Sequence, residues 1–281
     1  MSRILKLILA VALIGTILLA LRRPSHERDW SPDQRLLPTA TVRGDIVEIR
    51  NVRNFVYRGE HDFEPRYETR TYDLRQLDSV WFMVERFGTK PGIAHTLLSF
   101  GFGDEFVAVS AEIRKEKGET YSPWRGLLRE YELMYVIGDE RDLIGLRTNH
   151  RRDEVYLYPM RTTPEKMRQA FLAVLSRTND LAAKPEFYNT LTNTCTTNIV
   201  RHVNDVVPGR VPFSFKVLLP AYSDRLAYDL GLIATDQPFE KARRAYRIDG
   251  IAQSAGIGEK FSQVIRRIDW QPAAEERTFP Q

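Results

Sequence analysis

The chain has one cysteine and five histidines, and these are the residues whose types suit nucleophile and base chemistry near neutral pH. Cys195 lies in Tyr188-Asn189-Thr190-Leu191-Thr192-Asn193-Thr194-Cys195-Thr196-Thr197-Asn198-Ile199, where a polar, cap-forming stretch runs into helical periodicity. A helix starting near Asn193 or Thr194 puts the thiol at its N-terminus, where unpaired N–H groups and the macrodipole favour negative charge. That position stabilises thiolate over thiol and lowers the cysteine pKa toward neutrality. The same N–H groups suit an oxyanion formed during acyl transfer. The residues equally suit a blander arrangement, with Asn and Thr capping the helix and Cys195 packed beneath as a small hydrophobe.

A thiol nucleophile needs a base, normally histidine. His26 falls in a proline-containing stretch, His61 in the polar Glu60-His61-Asp62, and His150 in the basic Asn149-His150-Arg151-Arg152. His202 is two helical turns beyond the cysteine, too far along the same helix to touch the sulfur. His95 differs: in Gly92-Ile93-Ala94-His95-Thr96-Leu97-Leu98 it is a polar residue entering an apolar strand. It is either a hydrogen-bonded core residue or the base. The third member of such a site holds the imidazole in the right tautomer. If 95–100 and 106–113 form a hairpin, Glu112 is the first acid on the partner strand, with Glu116 and Glu119 as substitutes. That run of charges also suits a solvated face.

These residues need a scaffold. Runs rich in Val, Ile, Tyr and Phe predict strands at 45–49, 67–74, 79–85, 95–100, 106–113, 133–137 and 154–159, with a tight turn at Gly101-Phe102-Gly103-Asp104. The second half is helical: Thr162-Thr163-Pro164-Glu165 is a helix start, followed by Met167, Ala170, Phe171, Val174 and Leu175 at helical spacing. Helices are also predicted from about 193 to Pro208-Gly209, from Pro220 toward Leu230, and over 239–252. Strands followed by helices indicate an α+β fold with a mostly antiparallel sheet and packed helices.

Composition bounds the rest. At 281 residues and 43% hydrophobic, the chain can bury a sizeable core without staples. Lys and Arg exceed Asp and Glu by 41 to 37, scattered along the chain, so no basic stripe suits nucleic acid. One cysteine excludes an intramolecular disulfide and a Cys-rich zinc site, and the histidines are too dispersed to suggest a metal cluster. No Gly-x-Ser-x-Gly, phosphate-binding glycine loop or His-Glu-x-x-His occurs. A carboxylate pair for glycoside cleavage stays open, because sequence does not show carboxylate separation. Residues 4–21 are apolar except Lys6 and Thr16, and no small-x-small site follows, so an uncleaved transmembrane anchor is expected at 1–21. A juxtamembrane linker at 22–44, the enzyme domain at 45–252 and a C-terminal tail at 253–281 complete the expected organisation.

Three stretches, in this order, carry a resemblance: Ile93-Ala94-His95-Thr96-Leu97-Leu98-Ser99-Phe100-Gly101-Phe102, then Glu112 to Ser122, then Glu186 to Ile199. Together they resemble the bacterial Lnb N-terminal periplasmic domain family over roughly 29–252. Thr194 is a departure, standing where that family is expected to carry Asn, though it keeps a cap-forming oxygen. The resemblance implies a circularly permuted papain-like (NlpC/P60-type) domain in which the histidine strand precedes the cysteine helix. It also implies a part in bacterial lipoprotein N-acylation at the inner membrane, with the domain facing the periplasm. In that chemistry Cys195 takes an acyl group from a phospholipid and passes it to a lipoprotein amine. His95 is the base, Glu112 orients it, Asn193 assists the helix N–H groups at the oxyanion, and no cofactor is called for. The alternatives are a thiol peptidase acting on peptidoglycan and a non-catalytic periplasmic binding scaffold.

Overall fold

The computed structural model describes residues 3–88 and 92–267. The chain begins with helix α1 (Arg3–Leu21) and then lays down strands β1 (Thr39–Arg43), β2 (Ile46–Arg53), β3 (Val56–Tyr57), β4 (Phe63–Glu64), β5 (Tyr67–Asp73), β6 (Leu77–Arg86), β7 (His95–Phe102) and β8 (Glu105–Arg114). A short helix α2 (Pro123–Leu127), strand β9 (Glu132–Asp139), helix α3 (Glu140–Gly145) and a π-helical turn over Leu146–His150 lead to β10 (Glu154–Pro159). Among the described residues seven α-helices follow: α4 (Pro164–Ala183), α5 (Cys195–Val206), α6 (Phe215–Leu218), α7 (Ser223–Asp229), α8 (Phe239–Ala245), α9 (Asp249–Ala255) and α10 (Phe261–Val264).

The main sheet has the order β1-β2-β9-β8-β7-β6-β10, with β5 also on β2, and all its pairings are antiparallel except a parallel contact between β2 and β9. This is the α+β architecture expected, and its central strands are buried on both faces. Along β6, Phe82 and Val84 join one core, with Phe100, Val109, Ile137 and Phe171. Trp81 and Met83 join a second, with Leu97, Met134, Leu143, Phe261 and Ile265. Double coverage explains why these strands read as continuous apolar runs, not as alternating patterns.

Turn and cap chemistry act where expected. Gly103 takes a positive φ of 65° in the turn that joins Phe102 to Glu105, a conformation glycine adopts without a Cβ penalty. The Thr163 side chain caps α4 by accepting from Lys166 N–H, with Pro164 in the first turn.

Several expectations are corrected. Among the described residues no helix is long and apolar enough to cross a membrane. Helix α1 has 19 residues and starts at Arg3; at 1.5 Å per residue it is roughly 28 Å long, and its unbroken apolar stretch roughly 22 Å, against a hydrocarbon core of about 30 Å. The transmembrane anchor at 1–21, the inner-membrane placement and a membrane-anchored function therefore do not stand. The stretch 22–44 is not a loose linker. Trp30 is buried with the Arg114 guanidinium 4.2 Å above its ring, backbone bonds tie Ser31 to Lys115 and Lys117 to Asp29, and β1 extends the sheet. These partners are remote in sequence, so no local period announces them.

The helix expected over 239–252 is two, because the intervening backbone pairs with β10: Leu157 N–H donates to the Tyr246 carbonyl and Ile248 N–H to that of Val155. Residues 253–267 contribute the buried Phe261 and Ile265, while 268–281 lie outside the described residues.

Helix α4 is locked to the sheet by Phe171, fully buried with its ring 4.8 Å from Phe100 and 5.3 Å from Phe102. Phe171→Ala is expected to lower unfolding free energy by about 3–5 kcal/mol, read from urea denaturation at constant m. A loss under 1 kcal/mol would show that α4 does not share the sheet's core.

Candidate active site

Cys195 is the first residue of α5, and its neighbours build the helix end around it. Thr194 Oγ1 accepts from Thr197 N–H at 3.2 Å while Thr197 Oγ1 accepts from Thr194 N–H at 2.7 Å, a reciprocal capping box. This box occupies two of the four end donors. The N–H groups of Cys195 and Thr196 have no intrahelical acceptor and stay at the helix end beside the sulfur. The thiol, 6% exposed, lies at 3.8 Å from the Thr196 hydroxyl. Thr196 in turn meets Thr96 of β7, Oγ1 to Oγ1 at 3.1 Å, which pins the start of α5 to that strand.

His95 begins β7. The β7–β8 register pairs Leu97 with Ser110, and two residues further it sets His95 opposite Glu112. The side chains follow. His95 Nε2 lies 2.6 Å from Ser110 Oγ and 3.2 Å from Glu112 Oε1, and the Ser110 hydroxyl donates to Glu112 at 2.7 Å. Ser110 thus accepts from Nε2–H and passes its own proton's bond to the carboxylate, which leaves Nδ1 for the thiol. Arg147, from the π-helical turn, donates Nη2–H to Glu112 at 2.9 Å and Nε–H to Glu85 at 2.7 Å. Glu85 pairs with His95 across the other side, in β6.

Burial is the largest influence on each of the three central groups, and it opposes charge every time: it pushes the imidazole down and the carboxyl and thiol up. The neighbouring charges overrule it. Glu112 and then Cys195 raise His95 to about 10. His95, followed by Arg147 and Ser110, holds Glu112 well below its ordinary range. His95, followed by hydrogen bonds from the Thr96 side chain and backbone, lowers Cys195 to about 7. Thiolate and imidazolium therefore coexist from about pH 7, where the sulfur ionises, to about pH 10, where the ring loses its proton. Sulfur and ring interact without a tight, aligned hydrogen bond in this resting geometry; such bonds commonly tighten once substrate is in place.

Cys195, His95 and Glu112 are thus brought together, and Asn193 is not part of their cluster. Its amide Nδ2–H donates to the Phe187 carbonyl at 2.9 Å and its Oδ1 accepts from Asn198 at 3.0 Å. Both of these bonds brace the loop before α5. His202 is buried against Tyr135, 2.8 Å from its hydroxyl, and burial lowers it to about 4. His26 lies 3.3 Å from Arg114. Among the described residues no cluster of His, Cys, Asp and Glu could hold a metal ion.

Sequence reasoning missed Thr96, Ser110, Arg147, Tyr188 and Tyr121. Thr96 and Ser110 are polar residues inside apolar strands, the same signal that singled out His95. Tyr188 is buried and Tyr121 is exposed, and burial and then, among other groups, the Cys195 charge push both hydroxyls up. Arg147 carries no local signal at all.

The family model described as the Lnb N-terminal periplasmic domain matches residues 63–221, more than half of the chain, a range that contains His95, Glu112 and Cys195. No curated protein and no solved structure gives a match.

The geometry sets the thiol's titration. Alkylation of Cys195 by iodoacetamide is expected to rise through a midpoint near pH 7. In His95→Ala the midpoint moves up by about two units or more, because burial remains and the imidazolium is gone. Equal midpoints in the two proteins would mean that ring and sulfur are uncoupled.

Proposed function

Because the chain belongs to the Lnb N-terminal periplasmic domain family, we propose that it is a cysteine-nucleophile enzyme that moves an acyl group through a thioester on Cys195. The observation that carries this reading is a buried thiol at the start of α5 beside a histidine held by Ser110 and Glu112, surroundings that lower the thiol and raise the imidazole. A structural cysteine packed among apolar groups would have its pKa raised instead. The arrangement is read as that of a permuted papain-like domain, and it is supported by chain order, with the histidine strand β7 preceding the cysteine helix α5.

In the proposed mechanism the Cys195 thiolate attacks the carbonyl carbon of an ester or amide, and the new S–C bond pushes an electron pair onto the carbonyl oxygen. The N–H groups of Cys195 and Thr196 are positioned to hold that oxyanion. As the tetrahedral species collapses, the C–O or C–N bond breaks and His95 Nδ1–H protonates the leaving alcohol or amine. The acyl-thioester remains, with His95 neutral. An acceptor amine or water then loses its proton to His95 as it attacks the thioester, and the thiolate–imidazolium pair is restored. Throughout, Ser110 and Glu112 accept from Nε2–H, keep Nδ1 turned to the reaction and stabilise the ring's charge.

The acyl donor proposed is a phospholipid and the acceptor a lipoprotein amine, in the periplasm that the family description names. Transfer and hydrolysis share the thioester and differ only in the acceptor.

Incubation with phospholipid is expected to add one acyl mass to the intact protein, removable by neutral hydroxylamine. Cys195→Ala abolishes the adduct, and His95→Ala slows its formation by about 10²–10⁴. Below about pH 7 and above about pH 10 the rate falls, as thiolate and then imidazolium are lost. A hydroxylamine-sensitive adduct that persists in Cys195→Ala would refute the thioester.

A further inference from the structure

Three residues on adjacent strands form a row across one face of the sheet: Glu85 of β6, His95 of β7 and Glu112 of β8. The first pair is in direct register, and the second follows by continuing the β7–β8 ladder. Arg147 reaches this row from the π-helical turn and bridges its two ends. Its Nε–H donates to Glu85 Oε2 at 2.7 Å, its Nη2–H to Glu112 Oε1 at 2.9 Å, and its Nη1–H to the Leu143 carbonyl at 2.6 Å. The side chain is 5% exposed, so each edge of the guanidinium is committed.

Resting on the thiol-enzyme reading above, we propose that Arg147 is a positioning residue of the site, anchored by Glu85 so that it clamps the Glu112 carboxylate against His95 and thereby keeps the imidazole aimed at Cys195.

The need for a clamp follows from burial. The Glu112 side chain is only 22% exposed, so its charge depends on the protein donors around it. What holds Oε1 at Nε2 is the convergence of Ser110 and Arg147 on that same oxygen. Without the clamp, the Glu112 carboxylate loses a charged donor and is free to leave Nε2, and the ring can turn. Nδ1–H then no longer faces the sulfur, which loses its main stabilising charge. A guanidinium suits this task because two carboxylates of different strands must be held at once by donors in a fixed fork; a lysine ammonium is a single point. The host turn is of the π type, a local widening that is frequent at functional sites.

The charges facing the clamp come from every side. Arg53 is spent on Asp142, at 2.6 Å. Arg151 lies 3.5 Å from Glu85 and pairs with Glu60. Asp153 is pushed up to about 7 by burial and by Glu85 beside it. The only charged partners within hydrogen-bond distance of Arg147 among the described residues are Glu85 and Glu112.

The test uses the full chain and the pH dependence of Cys195 alkylation by iodoacetamide. Arg147→Lys keeps the charge and removes the fork. Its midpoint is expected to move up by about one unit, which cuts the rate at pH 7 roughly fivefold. The double variant Arg147→Met with Glu85→Gln removes one charge of each sign, so it carries the test even if Arg147→Lys fails to fold; the same upward shift is expected there. A role confined to stability would lower the melting temperature and leave the midpoint in place. A wild-type midpoint near 7 with unchanged midpoints in the folded variants overturns the role of Arg147 alone. A wild-type midpoint near the ordinary thiol value of 9 sinks the thiol-enzyme reading itself.

Discussion

Charge buried in a protein survives only where the opposite charge is buried beside it, and the rest of this site depends on that condition. Isolating one carboxylate or cation in such surroundings costs several kcal/mol, and breaking a buried pair typically costs about 3–5 kcal/mol. Here the groups alternate: thiolate, imidazolium, Glu112, Arg147, Glu85. Each group's charge is stabilised by the next, and Arg151 and Glu60 carry the series toward the surface. The reactive sulfur is the last member of a chain whose other end is an ordinary exposed ion pair.

The fold supplies the places for these charges. Glu85, His95 and Glu112 come into a row because β6, β7 and β8 are neighbours in antiparallel register, and side chains opposite one another share a face. The same face carries the buried apolar residues Leu97, Met134 and Leu143, and the low dielectric they create strengthens the interactions in the row. The other face carries α5. Thr96 points to that side from the residue next to His95, and its contact with Thr196 fixes the helix end against the strand. One strand thus presents the base on one face and the helix anchor on the other, and Cys195 lies where the two meet.

Much of this was legible from sequence. His95 and Cys195 stood out because each is a polar or reactive residue at an element boundary, and Glu112 was named as the first acid on the partner strand of the expected hairpin, with Glu116 and Glu119 as substitutes. The α5 cap was readable from Thr194 and its neighbours. Asn193 suits an oxyanion donor in local sequence, as a carboxamide beside a nucleophile, and its bonds to Phe187 and Asn198 became visible only in the folded chain. The apolar run at the N-terminus misled: composition suggests a membrane span, but among the described residues no helix is both long and apolar enough to cross one.

By itself, the sequence determined the elements and their chemistry: strand and helix periods, the caps, the turn, and a thiol at a helix start. These depend on residues within a few positions of one another. Which charges meet was decided by tertiary structure alone. Arg147 bridges Glu85 and Glu112 from 62 and 35 positions away, and Trp30 finds Arg114 across a comparable distance. The physical reason is range. Hydrogen-bonding preference and helical or strand period act along the backbone, whereas the pairing of buried charges is an energy of spatial neighbours that exists only once the sheet has brought its strands together.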